Sequence, residues 1–252
     1  MHSNIDKKIN SSLSVDSVIF GFDGKSLKVL LVERTTSING REVKDYKLPG
    51  RMIFENESLD ISAAKIFHTM TGDRIISPKQ FRIFSDPERV SKEELKWINK
   101  FHGINTDRVV TVGYYGLVKL NMSLIAYTRE QGAHWEQIDN ITHLAMDHKE
   151  ILRTALSTLQ RDVAQSPIAF HMLPKKFTIR QLQTLFSAIL GIEIDNRNFR
   201  KKILNLPFIK ATGEKEKNVK HKPAEYYTFK ERAFKRAEKA KQNLRFINNW
   251  SY

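Results

Sequence analysis

The sequence predicts an α+β fold in two parts. Three observations carry that reading. Apolar, β-branched runs separated by turn residues recur between positions 15 and 121. Stripes of apolar residues at helical spacing are interleaved with them. A compact helix–helix–strand–loop–strand pattern follows residue 166. At 252 residues the chain has ample length for a real core, in one large or two smaller domains.

The opening, MHSNIDKKINSSLSVDS, is polar and lacks the apolar stretch of a signal peptide, so 1–12 is expected to be a flexible tail. Residues 15–22 and 27–34 read as a hairpin across Asp23-Gly24-Lys25-Ser26. A helix is expected over roughly 58–71 and a strand over 80–85. Leu95, Trp97, Ile98 and Phe101 point to a helical insertion near 88–106. A long strand follows at 108–121 and a short one at 133–137. Residues 147–163 form an amphipathic helix with Ile151, Ala155, Leu156 and Leu159 on one side.

No apolar run approaches the roughly 20 residues of a membrane span. The absence of Cys excludes disulfides and thiolate metal sites and fits a cytoplasmic protein. Charge is unevenly placed. Residues 166–252 hold 19 Lys+Arg against 7 Asp+Glu, whereas the first 165 hold 23 against 21. A near-neutral front joined to a strongly basic back is expected when one part meets a polyanion. Solubility alone does not require that segregation.

Residues 48–72 read LPGRMIFENESLDISAAKIFHTMTG. This run resembles the Nudix box, G-x5-E-x7-R-E-U-x-E-E-x-G-U with U aliphatic. Arg51 stands where the first Gly belongs, Glu57 at the isolated Glu and Gly72 at the late Gly. The R-E-U-x-E-E core falls on Lys65, Ile66, Phe67, His68, Thr69 and Met70. In active members those glutamates share one helix face and hold divalent cations, which need oxygen ligands. None is present here. The expectation is therefore no enzyme, no catalytic residue, no metal and no cofactor. Further segments, Asp86-Pro87, Arg108-Val109-Val110, Tyr114-Tyr115 and Asp147-His148, are similar to the ADP-ribose-pyrophosphatase-like branch. The resemblance implies an α/β/α sandwich over 13–163.

Such a domain stripped of metal ligands is expected to bind without cutting. Arg51, Glu57, Asp86, Arg108, Tyr114 and Trp135 are the candidate effector residues. Arg51 and Lys65 can pair with a phosphate, pair with Glu55 or Glu57, or stand as plain surface charges. Asp86 and Arg108, separated in sequence by the insertion, suit sugar hydroxyls. Tyr114 and Trp135 suit the apolar side of a sugar ring but read equally as core aromatics. Tyr114 and Tyr115 point to opposite faces of a strand, so only one can line a pocket. His68, His143 and His148 lack partners at metal-ligand spacing and are assigned capping or packing roles.

In the back part Thr178 is a good N-cap for a helix carrying Ile179, Leu182, Leu185, Phe186 and Ile189, closed by Leu190-Gly191. Asp195 caps a second helix with Phe199 and Ile203 as its apolar stripe and Asn196, Arg197, Asn198, Arg200 and Lys201 on the open face. Arg can grip guanine, Asn adenine, and Lys phosphates, which is what a recognition helix needs. Residues 208–210, a Lys-rich loop and 222–229 complete a hairpin, so 164–232 reads as a winged helix–turn–helix. Its expected DNA contacts are Thr178, Arg180, Asn196, Arg197, Asn198, Arg200, Lys201, Lys217, Lys220 and Lys222. The tail from 233, with Phe234, Ala237, Lys241 and Leu244 at helical spacing, could extend DNA contact, pack at a dimer seam or fray.

Together the two parts resemble the Nudix-related transcription regulators. LPKKFTIRQLQTLF, DNRNFRKKI and KPAEYYTF are most similar to the sugar-responsive, arabinose-regulator branch. The resemblance implies a homodimer that binds operator DNA and changes affinity with a small effector, a sugar or an ADP-ribose-like molecule, in carbohydrate metabolism. Two rivals stand beside it. One is a residual hydrolase using Glu55, Glu57 and Asp60; the other is a protein that binds nucleic acid without sequence preference.

Overall fold

The structure, a computed structural model, describes residues 8–38, 41–72, 78–163, 166–220 and 222–240. The chain divides into two compact units: residues 1–21 with 28–156, and residues 22–27 with 157–252.

The first unit is built on a mixed sheet with the path β3-β2-β1-β6-β5, to which β4 adds on β1 and β7 on β2. Strands β1 (Ile9–Phe22) and β2 (Leu27–Ile38) follow each other through a tight turn. There Asp23 Oδ1 accepts from the backbone N–H of Lys25 and Ser26 at 2.9 and 2.8 Å, with Gly24 at φ +98°. Since β1 begins at Ile9, the last four residues of the expected flexible tail are strand. Strand β3 (Arg41–Lys47), not expected from its polar sequence, pairs antiparallel with β2 from Val32↔Lys47 to Ile38↔Arg41. Next come β4 (Gly50–Phe54), β5 (Lys79–Phe84), β6 (Val110–Lys119) and β7 (Ala133–Gln137).

Helix α1 (Leu59–Thr71) starts on the Ser58 hydroxyl, which accepts from the N–H of Ile61, and buries Ala63, Ile66 and Phe67. Helix α2 (Lys92–His102), the expected insertion, is capped by Ser91 and ends on Gly103 in the left-handed region. Helix α3 (Met122–Glu130) was not expected; the Asn121 side chain caps it at Leu124 N. Helix α4 (His148–Val163) follows. The main core sets Val15, Ile19, Leu30, Val112 and Val118 of the sheet against Ile66 and Phe67 of α1 and Leu124 of α3. A smaller cluster of Met52, Val90, Ile98 and Val109, with Leu95 and Trp97 packed on it, seats the insertion.

The second unit runs through a short 3-10 turn (Pro167–Met172), β8 (Phe177–Thr178), α5 (Ile179–Leu190), α6 (Asn196–Leu204), β9 (Ile209–Lys215), β10 (Glu225–Phe229) and α7 (Glu231–Lys239). Its sheet order is β8-β10-β9, antiparallel throughout. The core is phenylalanine. Phe170 stacks on Phe229 at 4.4 Å and meets Phe186 and Phe208 edge-on, Phe186 reaches Phe199, and Phe234 of α7 closes on Phe208 at 5.2 Å. The tail expected from residue 233 therefore begins inside a helix whose Phe234 and Ala237 are buried. Lys241 and Leu244 lie outside the described residues. The α+β class read from the sequence is the class found.

Candidate effector site and nucleic-acid interface

In the first unit the box residues converge on Glu57. Its carboxylate is 4 % exposed and lies between the Arg51 guanidinium and the Lys65 ammonium, the latter at 2.7 Å. Burial opposes its charge, but Lys65 and Arg51 outweigh burial and hold its carboxyl below the usual range. The Arg51 guanidinium also lies over the Phe54 ring at 5.0 Å. Because Ile66 and Phe67 face the core, α1 presents Lys65, His68 and Thr69 outward. An open cleft of about 440 Å³ runs along this face, lined by Arg51, Phe54, Lys65, His68 and Thr69 among others.

Of the other candidates, Tyr114 is buried in the core. Its hydroxyl donates to Asp60 Oδ1 at 2.6 Å, and burial together with that carboxylate pushes the phenol upward. Trp135 packs at the edge of the same core and donates its indole N–H to Thr128 Oγ1 at 3.0 Å. Both take the core role that their residue types left open. The insertion does not hold Asp86 and Arg108 apart in space: Arg108 donates to the carbonyl of Ser85, next to Asp86, at 2.8 Å. Of the six, Arg51 alone lines both cavities that flank β4.

The second of those cavities was not visible in the sequence. Ser14, Asp16, Lys47, Arg89, Thr111 and His148 contribute to its polar wall, with Trp97 and Phe101 on the apolar side. The Leu48 N–H donates to His148 Nδ1 at 2.9 Å, and His148 Nε2 stands 3.6 Å from Asp16 Oδ2. Arg89 grips Asp147 with two bonds of 2.8 and 2.7 Å. Burial pushes His148 down to about 3, helped by Lys47. Burial likewise raises Asp16 and lowers Lys47, despite their attraction for each other. Gly50 is required here, because an added Cβ would collide with the Asp16 carboxylate. Asp16 interrupting an apolar strand was the one available signal.

Above this chamber Arg34 is held between Asp45 and Glu94. It donates through Nε to Asp45 at 2.8 Å and through both terminal nitrogens to Glu94, and lies 4.7 Å from the Trp97 ring. Trp97 stacks on Phe101 and donates its indole N–H to the Thr35 carbonyl. These contacts fasten α2 to β2 and β3.

In the second unit Thr178 closes a capping box with Gln181: each side chain bonds the other's backbone N–H. Thr178 is buried, so it fixes where α5 begins instead of offering its hydroxyl outward, contrary to its place among the expected DNA contacts. Arg180 is exposed on the first turn of α5. On α6, Asp195 accepts from the N–H of Asn198, Phe199 and Ile203 are buried, and Asn196, Arg197, Asn198, Arg200 and Lys201 are exposed. Arg200 reaches Tyr227 Oη at 3.5 Å. The hairpin is longer than expected: β9 runs to Lys215, and Glu216 N–H donates to the Ala224 carbonyl. Lys217, Lys220 and Lys222 are exposed at its tip. The surface can therefore offer fork-shaped donors and amides from one helix and point charges from one loop.

Residues 169–229 match the model of the NrtR DNA-binding winged helix domain. Over 219 residues the chain is 22 % identical to a protein of Acinetobacter baylyi described as an ADPR responsive transcriptional repressor, NtrR, covering 86 % of this chain and 81 % of that one. Shewanella oneidensis NrtR, in a crystal structure with a 27mer DNA, superposes with a TM-score of 0.65 at 23 % identity, covering 88 % of this chain and 95 % of the other. A MutT/nudix family protein of Enterococcus faecalis gives 0.60 at 25 %, covering 91 % and 90 %. Over most of its length the chain therefore has the fold of a Nudix-like domain followed by a winged helix, and its residues 169–229 match the NrtR-type DNA-binding domain.

Proposed function

We propose that this protein is a sequence-specific transcription regulator whose Nudix-like unit binds a sugar nucleotide of the ADP-ribose type without hydrolysing it. The observation that carries the reading is α6: its apolar stripe is buried, and its Asn and Arg side chains are exposed beside a lysine-tipped hairpin. The effector class is supported by the similarity to the Acinetobacter baylyi repressor. Binding without cleavage is supported by α1, where Lys65, His68 and Thr69 occupy the outward face.

The regulator acts in the cytoplasm as a homodimer on two half-sites roughly one DNA turn, or a multiple of it, apart. ADP-ribose shifts operator affinity only by as much as it prefers one of the protein's states over the other. A gel shift on its own promoter region, with and without ADP-ribose, tests both parts. Equal affinity for any duplex of the same length would replace regulation by non-specific binding. Magnesium-dependent release of AMP from ADP-ribose, lost in Glu57→Gln, would restore the hydrolase reading.

A free sugar is the second effector reading. It is supported by the polar pocket of Asp16, Lys47, Thr111 and His148 beside Trp97, which sets hydroxyl partners next to an aromatic side chain. Thermal-shift measurements with pentoses, hexoses and ADP-ribose separate the two, because a ligand of the native state raises the melting temperature.

A further inference from the structure

We propose that the box face holds the diphosphate of the effector on the chain's own cations, Lys65 and Arg51, with no divalent metal between them. The inference rests on the reading of the effector as an ADP-ribose-type molecule.

A diphosphate facing a cluster of carboxylates needs bridging cations, because like charges otherwise repel at close range. On this α1 the repulsion is gone: the positions facing the cleft carry Lys65, His68 and Thr69. What stands there instead is one buried carboxylate between two cations. Glu57 supplies a single negative charge, and Arg51 and Lys65 supply two positive ones, which leaves the group net positive. Glu57 also fixes where those cations sit. It is 4 % exposed, whereas the Lys65 side chain is 59 % exposed and reaches into the cleft.

An ammonium carries three N–H donors and a guanidinium five, so contacts to one carboxylate leave donors for phosphate oxygens. Arg51 is braced further by the Phe54 ring beneath it, which limits the rotamer freedom that binding would otherwise remove. The arrangement does with side chains what a bound metal does in the enzymes of this fold, and it supplies no activated water.

Isothermal titration of the full-length protein with ADP-ribose, in EDTA and in magnesium, tests the assignment. Wild-type protein is expected to bind equally in both buffers, within about twofold. Lys65→Gln should raise Kd roughly tenfold or more, since it removes a charged hydrogen-bond donor, and Lys65→Arg should recover most of the loss. Met70→Glu, which returns a carboxylate to the cleft, should weaken binding in EDTA and regain affinity when magnesium is added. Wild-type affinity in Lys65→Gln and Arg51→Gln, or binding that requires magnesium, overturns the metal-free cradle and leaves the ADP-ribose reading standing. Failure of the wild-type protein to bind ADP-ribose in either buffer overturns both.

Discussion

The Leu48 backbone N–H donates to the Nδ1 of His148 at 2.9 Å, across 100 positions of the chain. That bond needs an unprotonated Nδ1, and it ties the turn before β4 to the first residue of α4.

The first prediction follows from this bond. Burial, with Lys47 nearby, depresses the imidazole to about 3 from an ordinary 6.5. Between those values the folded protein binds fewer protons than the unfolded chain. The stability due to His148 is therefore fully present above about 6.5 and is lost as pH falls toward 3. Asp16, raised by burial, works in the opposite sense, its contribution shrinking as pH rises. Imidazole NMR spectra should show His148 neutral at pH 5.5, where exposed histidines charge. A midpoint near 6.5 would contradict the assignment.

Arg34 yields the second. Its side chain is 2 % exposed and bonded to two carboxylates, so Arg34→Ala leaves Asp45 and Glu94 unpartnered. Urea denaturation should show a loss of about 3–5 kcal/mol. Arg34→Lys should recover little, because one ammonium cannot reproduce paired contacts to both acids.

The third concerns DNA. Arg197→Ala or Arg200→Ala should each cost about 1–3 kcal/mol on the operator and relax the preference for one base pair. Lys217→Ala or Lys220→Ala should instead weaken all duplexes alike and reduce the slope of log affinity against log salt by about one. A salt-controlled gel shift distinguishes the two patterns, and unchanged binding in both arginine variants would move recognition away from α6.

Thr178 provides the fourth. Removing its hydroxyl opens the capping box with Gln181, so Thr178→Ala should cost about 1 kcal/mol of thermal stability. Thr178→Ser should cost little. An effect on operator affinity larger than on stability would return this residue to the DNA surface.

Elements with strong local signals were legible: the β1–β2 turn, the stripe of α5 and the Asp195 cap of α6 all stand in short runs of sequence. What escaped depended on distant partners. Arg41–Lys47 is polar and becomes a strand because β2 offers it a ladder. Asn121, read as the end of a strand, is in fact the cap of α3. The box could be aligned residue by residue, so the Arg51–Glu57 and Lys65–Glu57 pairs lay within reach of the sequence. The chamber of Asp16, Lys47 and His148 did not, because its members come from three remote segments and only Asp16, interrupting an apolar strand, stands out where it is. Tyr114 and Trp135 suited a ligand or the core equally by residue type, and only their packing shows both set against the core.

The ring of Phe234 bears on how the DNA reader can be handled in isolation. The stretch matching the family model stops at residue 229, before that ring, yet Phe208 and Phe229 both lean on it. An excised reader ending at 229 would leave an apolar hole open to water and invite self-association. One carried through residue 240 would keep its lid, and with it a folding unit suitable for binding assays.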